Sequence, residues 1–381
     1  MSLVVFPVKE EDPAVVVANL GIAAAHPRVE EVWAIISGAP ADDIAHGADS
    51  VGASTGKKVS VFPQERVGSF RPGKGDAMNT AILRSAERGF ERTHFYDADI
   101  TNFDGGWIDG AEAAADRGFS VVRHRFPRAA TDAMITWMVT RPALAFFFPG
   151  TLLPRLGQPL GGELLVGADV VRALAGEETV RERSDWGVDT MLTYATSALG
   201  TAVYEHDLAD GKRHALYGSL WELRTMVLEC LDAVASLAGR PPPSGSELVS
   251  EPSSPVPDDL KKVRGFDLEA TMALLGVEPS NEEADLAARL PGEVGESALA
   301  TAKGGEIEFM DADTWESTLR FLLAQFELGN PAWEALAFRL WLIRVLAYAT
   351  GPAREGYDRA QDYLETIILR YEGRADQDVT A

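Results

Sequence analysis

The sequence predicts an α/β protein: a mostly parallel sheet flanked by helices, followed by a mainly helical C-terminal region. Two observations carry this reading. Short apolar runs alternate with helix-periodic stretches through roughly the first two hundred residues, the rhythm of β-α-β units that feed a parallel sheet. After about Tyr217 the strand-like runs give out and helical spacing dominates.

Leu3–Val8 is a short continuous apolar run, the pattern of a strand buried on both faces. A helical stretch over Ala14–Ala25 follows, and then Val32–Ile36 repeats the strand signal. Val59–Phe62, Thr93–Tyr96 and Phe119–Val122 repeat it again, with helical stretches at Ala77–Arg88 and Trp107–Asp116 between them. Beyond Leu220–Leu237, which has helical spacing, the stretch at about 239–258 is crowded with Pro, Ser and Gly and reads as a loop or linker. Helical stretches follow at Leu260–Leu275, Asp313–Phe326, Trp333–Thr350 and Tyr357–Tyr371. The expected division is an α/β domain over 1–219, which would carry the chemistry, and a helical domain over 220–381.

With 381 residues, 46% of them apolar, the chain can bury a real core. A formal net charge of −23 excludes broad binding to nucleic acid or to anionic membranes, whose phosphates repel such a surface. No run of eighteen apolar residues appears, so no membrane span is expected. A single cysteine, Cys230, cannot form an internal disulfide and suits the reducing cytoplasm.

In parallel sheets of this kind ligands bind outside the carboxyl ends of the strands, which directs attention to the residues just after Val8, Phe62, Tyr96 and Val122. There lies His94-Phe95-Tyr96-Asp97-Ala98-Asp99-Ile100. In an extended segment alternate residues point the same way, so Asp97 and Asp99 are expected to converge on one cation, Mg²⁺ or Mn²⁺, that also meets phosphate oxygens. Taken alone, Asp-x-Asp is a weak pattern that more often marks a solvated turn or a helix cap. Arg71-Pro72-Gly73-Lys74-Gly75-Asp76 places a lysine between two glycines at a helix start, which lets backbone and ammonium approach an anion; a glycine turn capped by Asp76 is the plainer alternative. It is not a Walker A loop. Lys9, Arg123, His124, Arg125 and Arg128 supply further cations. Gln158-Pro159-Leu160-Gly161-Gly162-Glu163 and Arg183-Ser184-Asp185-Trp186-Gly187-Val188-Asp189-Thr190 mix glycines and carboxylates in ways that fit either turns or a reactive pocket, and His214 is a candidate imidazole ligand.

Together these segments, with Thr131-Asp132-Ala133-Met134-Ile135-Thr136-Trp137-Met138 as the most specific, resemble the mannosylglycerate synthase family. That family consists of retaining GT-A glycosyltransferases, which move mannose from GDP-mannose to D-glycerate. The resemblance covers most of the first 230 residues and continues weakly into the tail. It implies that Pro7, Lys9, Gln64, Lys74, Asp97, Tyr217 and Met226 serve the donor, with Asp97 beside the metal. It implies that Asp99 and His214 ligate the metal, and that Arg128, Thr136, Leu160 and Gly161 serve the acceptor. Asp189 falls by the anomeric centre. The implied product is a compatible solute made in the cytoplasm. A glucosyl donor, giving glucosylglycerate, is the nearest alternative; a sugar-nucleotide pyrophosphorylase is a remoter one, since its glycine-rich loop is missing after Val8. Val8 stands where the family has an aromatic residue, and Gly38–Val59 is shifted in length and composition. Homo-oligomerisation is left open.

Overall fold

The computed structural model describes residues 1–37, 41–214 and 217–379, so the start of the shifted stretch, residues 38–40, lies outside the described residues. The chain divides into two compact units. The first comprises Met1–Pro127, Leu156–Ala215 and Pro243–Val256; the second comprises Arg128–Arg155, Leu216–Pro242 and Pro257–Ala381.

In the first unit, β1 (Ser2–Val8), β2 (Val29–Ile36), β3 (Lys58–Pro63) and β4 (Arg92–Phe95) alternate with α1 (Pro13–Ala25), α2 (Ala41–Thr55) and α3 (Lys74–Arg88). The helix α4 (Gly105–Asp116) leads to β5 (Val121–Arg125), and β6 (Leu164–Gly167), β7 (Val203–Asp207) and β8 (Leu248–Ser250) complete the sheet. The strand order is β3-β2-β1-β4-β6-β5-β7-β8. Every neighbouring pair is parallel except the two that involve β6, which runs antiparallel to both β4 and β5. This is the mostly parallel sheet flanked by helices that the sequence predicts.

Local chemistry explains the elements. β1 is buried at every position because its apolar run meets helices on both sides. On one face Val4, Phe6 and Val8 share a core with Val16, Leu20, Ala23 and Ala24, the buried stripe of α1. On the other face α3 packs over β1 and β2. Asp12 caps α1 by accepting from the Ala14 backbone N–H, and Pro13 occupies the first turn, where no intrahelical N–H is needed.

Three strands were not legible in the sequence. β6 is four residues long and β8 three, too short for a periodic signal, and β8 falls within the Pro/Ser/Gly-rich stretch at 239–258. β7 carries a buried glutamate, Glu205, which accepts from the Gly157 backbone N–H at 2.7 Å and the Ser250 hydroxyl at 2.7 Å. β5 extends past Val122 through Arg123 and His124, both buried. His124 is therefore no rim cation, whereas the buried Arg123 guanidinium still acts on the charges of Asp189, Glu205 and Glu163. His124 packs among Tyr96, Trp107 and His206, and burial holds its imidazole well below the usual range, so it is neutral.

The second unit is helical, with Arg224–Ala235, Ala312–Gln325, Pro331–Thr350 and Tyr357–Val379 as its longer helices. Trp315, Trp341, Tyr348 and Tyr371 fill its core. The indole N–H of Trp315 donates to the Met138 carbonyl at 2.7 Å, and the Tyr348 hydroxyl to the Ala130 carbonyl at 2.7 Å. Among the described residues no helix is long and apolar enough to cross a membrane.

Candidate active site

The topology sets where the chemistry gathers. Seven strands end on one rim, and β6, running the other way, begins there: Leu164 lies opposite Phe95 of β4 and Arg123 of β5. The loop before β6, including Glu163, is thereby delivered to the same rim as Asp97. After β4 the chain turns at Ala98 and Asp99. The strand stops at Phe95, so the alternation expected of an extended Asp-x-Asp does not apply; Asp97 is half-buried and Asp99 exposed. The turn is held from α1, where the buried Asn19 amide donates to the Ala98 carbonyl at 3.2 Å and the Ile100 carbonyl at 2.9 Å.

A row of alternating charges crosses the rim. Lys74 bridges Asp97 Oδ1 at 2.8 Å and Asp189 Oδ2 at 3.0 Å. Lys212 bridges Asp97 Oδ2 at 2.6 Å and Glu163 Oε1 at 2.7 Å. Burial alone would raise the Asp97 carboxyl, but the Lys212 and Lys74 ammonium groups override it and hold it well below the usual carboxylate range. At the ends of the row burial wins. It raises Glu163, with Lys212 offsetting only part of the effect, and it raises Asp189 against the pull of Lys74. Burial opposes the charge on Lys74 too, yet Asp189 and Asp97 keep it firmly protonated. The arrangement fixes two ammonium groups and three carboxylates of unequal basicity on one rim, the kind of clustered, perturbed charge that marks a functional site.

Gly75, beside Lys74, has a packing task. A Cβ on Gly75 would come within 2.1 Å of the Arg183 carbonyl oxygen, so Gly75 lets the start of α3 lie against the 183–184 backbone. Asp76 does not cap the helix: fully buried, it accepts from the backbone N–H groups of Val67 at 2.9 Å and Gly68 at 3.0 Å and from Arg66 at 2.7 Å. Asn79 donates to the carbonyls of Val180, Arg181 and Arg183. These contacts lock the lysine-bearing turn to the segment leading into the helix Val188–Ala198, whose second residue is Asp189.

Gly162 tests the row directly. A Cβ there would stand 2.5 Å from Asp97 Oδ1 and 2.6 Å from Lys74 Nζ. Both are ends of side chains and swing aside, so Gly162→Ala is expected to fold with a Tm within about 4 °C of the parent while turnover falls on the order of 100-fold. Steady-state kinetics beside a thermal melt check this, and unimpaired turnover would show that the Lys74–Asp97 contact is dispensable.

The other residues singled out in the sequence fall as follows. Pro7 is buried near the end of β1, opposite Ile35, and Lys9 is exposed just beyond it. Gln64 follows β3; its backbone N–H donates to the Ile36 carbonyl at 2.9 Å, and its buried Oε1 has no hydrogen-bond partner among the described residues. Leu160 and Gly161 lie in a turn closed by the Gly161 N–H donating to the Gln158 carbonyl at 3.0 Å. Arg128, Thr136, Tyr217 and Met226 belong to the second unit. There Arg128 pairs with Asp132 at 3.0 Å, and Tyr217 forms a parallel bridge with Phe266. Met226 is half-buried on the helix Arg224–Ala235. Thr136 is buried and opens a π-helical turn, Thr136–Thr140, three residues after Ala133, whose φ of 55° makes it the one non-glycine in the left-handed region among the described residues. Such irregular backbone collects at functional sites.

Among the described residues no three His, Cys, Asp or Glu side chains form a metal-holding cluster. The expected pair, Asp99 and His214, is a two-ligand set whose remaining positions would fall to phosphate oxygens. The surroundings fit a divalent cation. Burial raises the Glu11 carboxyl, and the charges of Asp99 and Asp97 raise it further, so negative charge is concentrated at this rim. The segment ending at His214 is bonded to the one that follows Asp99: the Thr101 N–H donates to the Arg213 carbonyl at 2.9 Å. Carboxylate oxygen with imidazole nitrogen is a donor set that Mn²⁺ and Mg²⁺ accept.

The comparison with known proteins agrees with this geometry. The model of the mannosylglycerate synthase GT domain matches residues 2–236, and that of the mannosylglycerate synthase C-terminal domain matches residues 260–368. The chain belongs to the mannosylglycerate synthase family. It is 44% identical over 387 residues to the mannosylglycerate synthase of Rhodothermus marinus, covering 98% of this chain and 95% of that one. It is 41% identical to the mannosylglycerate synthase of Selaginella moellendorffii, covering 97% of this chain and 89% of that one. A solved structure of glucosyl-3-phosphoglycerate synthase from Mycobacterium tuberculosis, in complex with Mn²⁺, UDP and glucosyl-3-phosphoglycerate, aligns at 21% identity over 63% of this chain and 81% of that one, with a TM-score of 0.48. In this member of the mannosylglycerate synthase family, Glu163, Lys212, Asn19 and Asn102 are rim residues that sequence reasoning passed over. Glu163 and Lys212 stood in segments noted for other residues, and nothing local marks either asparagine.

Proposed function

We propose that the chain transfers mannose from GDP-mannose to D-glycerate with retention of configuration, making mannosylglycerate as a compatible solute in the cytoplasm. The observation that carries the reading is Lys74, held between Asp97 and Asp189 on the rim where nucleotide sugars bind in a GT-A core. Pro7, Lys9, Gln64, Lys74, Asp97, Tyr217 and Met226 serve the donor. Leu160, Gly161, Thr136 and Arg128 serve the acceptor, Arg128 through a bidentate grip on the glycerate carboxylate. Asp189 supports the positive charge that grows on the sugar ring as the diphosphate leaves. Asp99 and His214 would hold the divalent cation, Mg²⁺ or Mn²⁺, which when bound would offset charge on the departing diphosphate.

Product analysis by NMR with GDP-mannose and D-glycerate tests the whole reading. The expected product is the retained α-anomer, formed only with divalent metal and abolished by excess EDTA. A panel in which a glucosyl nucleotide is the preferred donor would reassign the sugar, and release of pyrophosphate from a nucleoside triphosphate would reassign the reaction class. Full turnover in EDTA would remove the metal from the scheme.

A further inference from the structure

We propose that Asn102 is a positioning residue that sets His214 beside Asp99 and thereby governs how tightly the site takes its divalent cation. The inference rests on the reading of Asp99 and His214 as the metal's protein ligands. Neither lies on a strand or a helix: Asp99 is in the turn after β4, and residues 211–214 have no regular secondary structure. Two such segments need an outside constraint to keep their side chains in register, and the structure supplies one. The Asn102 amide nitrogen donates to the Gly211 carbonyl at 2.8 Å, and its amide oxygen accepts from the Arg213 backbone N–H at 2.9 Å. Thr101 adds two donors to the Arg213 carbonyl, its backbone N–H at 2.9 Å and its hydroxyl at 3.1 Å.

These four bonds join residues 101–102 to residues 211–213 in the manner of a strand ladder, with one side chain acting as both donor and acceptor. The amide does this from two separate atoms, which the isosteric carboxylate cannot, since when ionised it accepts but does not donate. Each segment is also tied to the body of the unit. Asn19 grips the carbonyls on either side of Asp99, while Lys212, between Gly211 and Arg213, is clamped by Asp97 and Glu163. Asn102 links the two anchored pieces: it stands three residues after Asp99 and bonds Gly211 and Arg213 directly. Outer partners of this kind set ligand orientation, and their loss weakens metal binding by about 10–100-fold.

The test is a titration of the intact protein with Mn²⁺ in the presence of GDP, read as free Mn²⁺ by electron paramagnetic resonance, for the parent and for Asn102→Ala, Asp99→Ala and His214→Ala. Asn102→Ala is expected to weaken Mn²⁺ binding on the order of 10-fold, with GDP affinity in EDTA unchanged. A change confined to thermal stability, with Mn²⁺ affinity equal to the parent's while His214→Ala is weakened, overturns the role of Asn102 and leaves the ligand assignment standing. Parent-like affinity in both Asp99→Ala and His214→Ala overturns the ligand assignment itself, and the inference with it. Should Asn102→Ala fail to fold, Thr101→Val removes one hydroxyl bond and keeps the backbone one; a weakening of about 2–3-fold supports the ladder and parent-like affinity overturns it.

Discussion

Lys74→Met is expected to lower kcat/KM on the order of 1000-fold and to destabilise the fold by about 3–5 kcal/mol, as removing one partner from a buried ion pair does. The Lys74 side chain is 9% exposed and serves two carboxylates; without it Asp189, 6% exposed, loses the ammonium 3.0 Å away and Asp97 keeps Lys212. Steady-state kinetics with saturating acceptor and an equilibrium denaturant melt measure the two effects. Lys74→Arg is expected to rescue stability in part and activity hardly at all. Gly162 stands so close to Lys74 Nζ that even a methyl group would lie 2.6 Å from it, and a guanidinium needs more room than an ammonium. Near-parent activity in the arginine variant would mean that charge alone matters and that the tight placement does not.

Asp189→Asn is expected to cost on the order of 100–1000-fold in turnover while leaving the Tm at pH 7 equal to or above the parent's. The sign follows from the raised Asp189 carboxyl, with burial as the first cause. A carboxyl raised on folding contributes stability that is complete below its unfolded pKa of about 4 and is lost as pH rises through the folded value. At pH 7 the parent has given that contribution up, and the neutral amide has not. The Tm advantage of the variant is therefore expected to shrink as pH falls towards about 4, where the parent's carboxyl is protonated as well. A Tm well below the parent's at pH 7 would place Asp189 among structural ion pairs. Azide is not expected to restore turnover with inversion, since same-face attack leaves no covalent sugar on Asp189; a mannosyl ester trapped there and seen by intact-protein mass spectrometry would reverse that reading.

Much of this architecture was legible because it is written locally. A strand buried on both faces must be apolar along its length, so β1 to β4 announced themselves, and the stripe Val16, Leu20, Ala23 of α1 follows from helical period alone. The strands that went unread are those whose burial depends on partners far away. Glu205 can sit inside β7 only because Gly157 and Ser250 satisfy it, and Arg123 and His124 look like surface cations until β5 is placed in the sheet. The Asp-x-Asp motif was found from its position after a strand, but its geometry was not, because the alternation of side chains ends where β4 ends. The Gly-Lys-Gly turn was found as well, while the reason for Gly75, a backbone 108 residues further along the chain, was hidden.

By itself the sequence determined the fold class, the apolar strands and helices, and the residue types able to do the chemistry, since periodicity and side-chain chemistry are properties of short segments. Only the tertiary structure decided which charges meet. Lys74 and Asp189 are 115 residues apart in the chain, as are Lys212 and Asp97. Glu163 joins them because one strand, β6, runs against its neighbours and returns the 158–163 loop to the rim. That pairing depends on strand order and register, which arise from the packing of the whole sheet and leave no mark in any single segment.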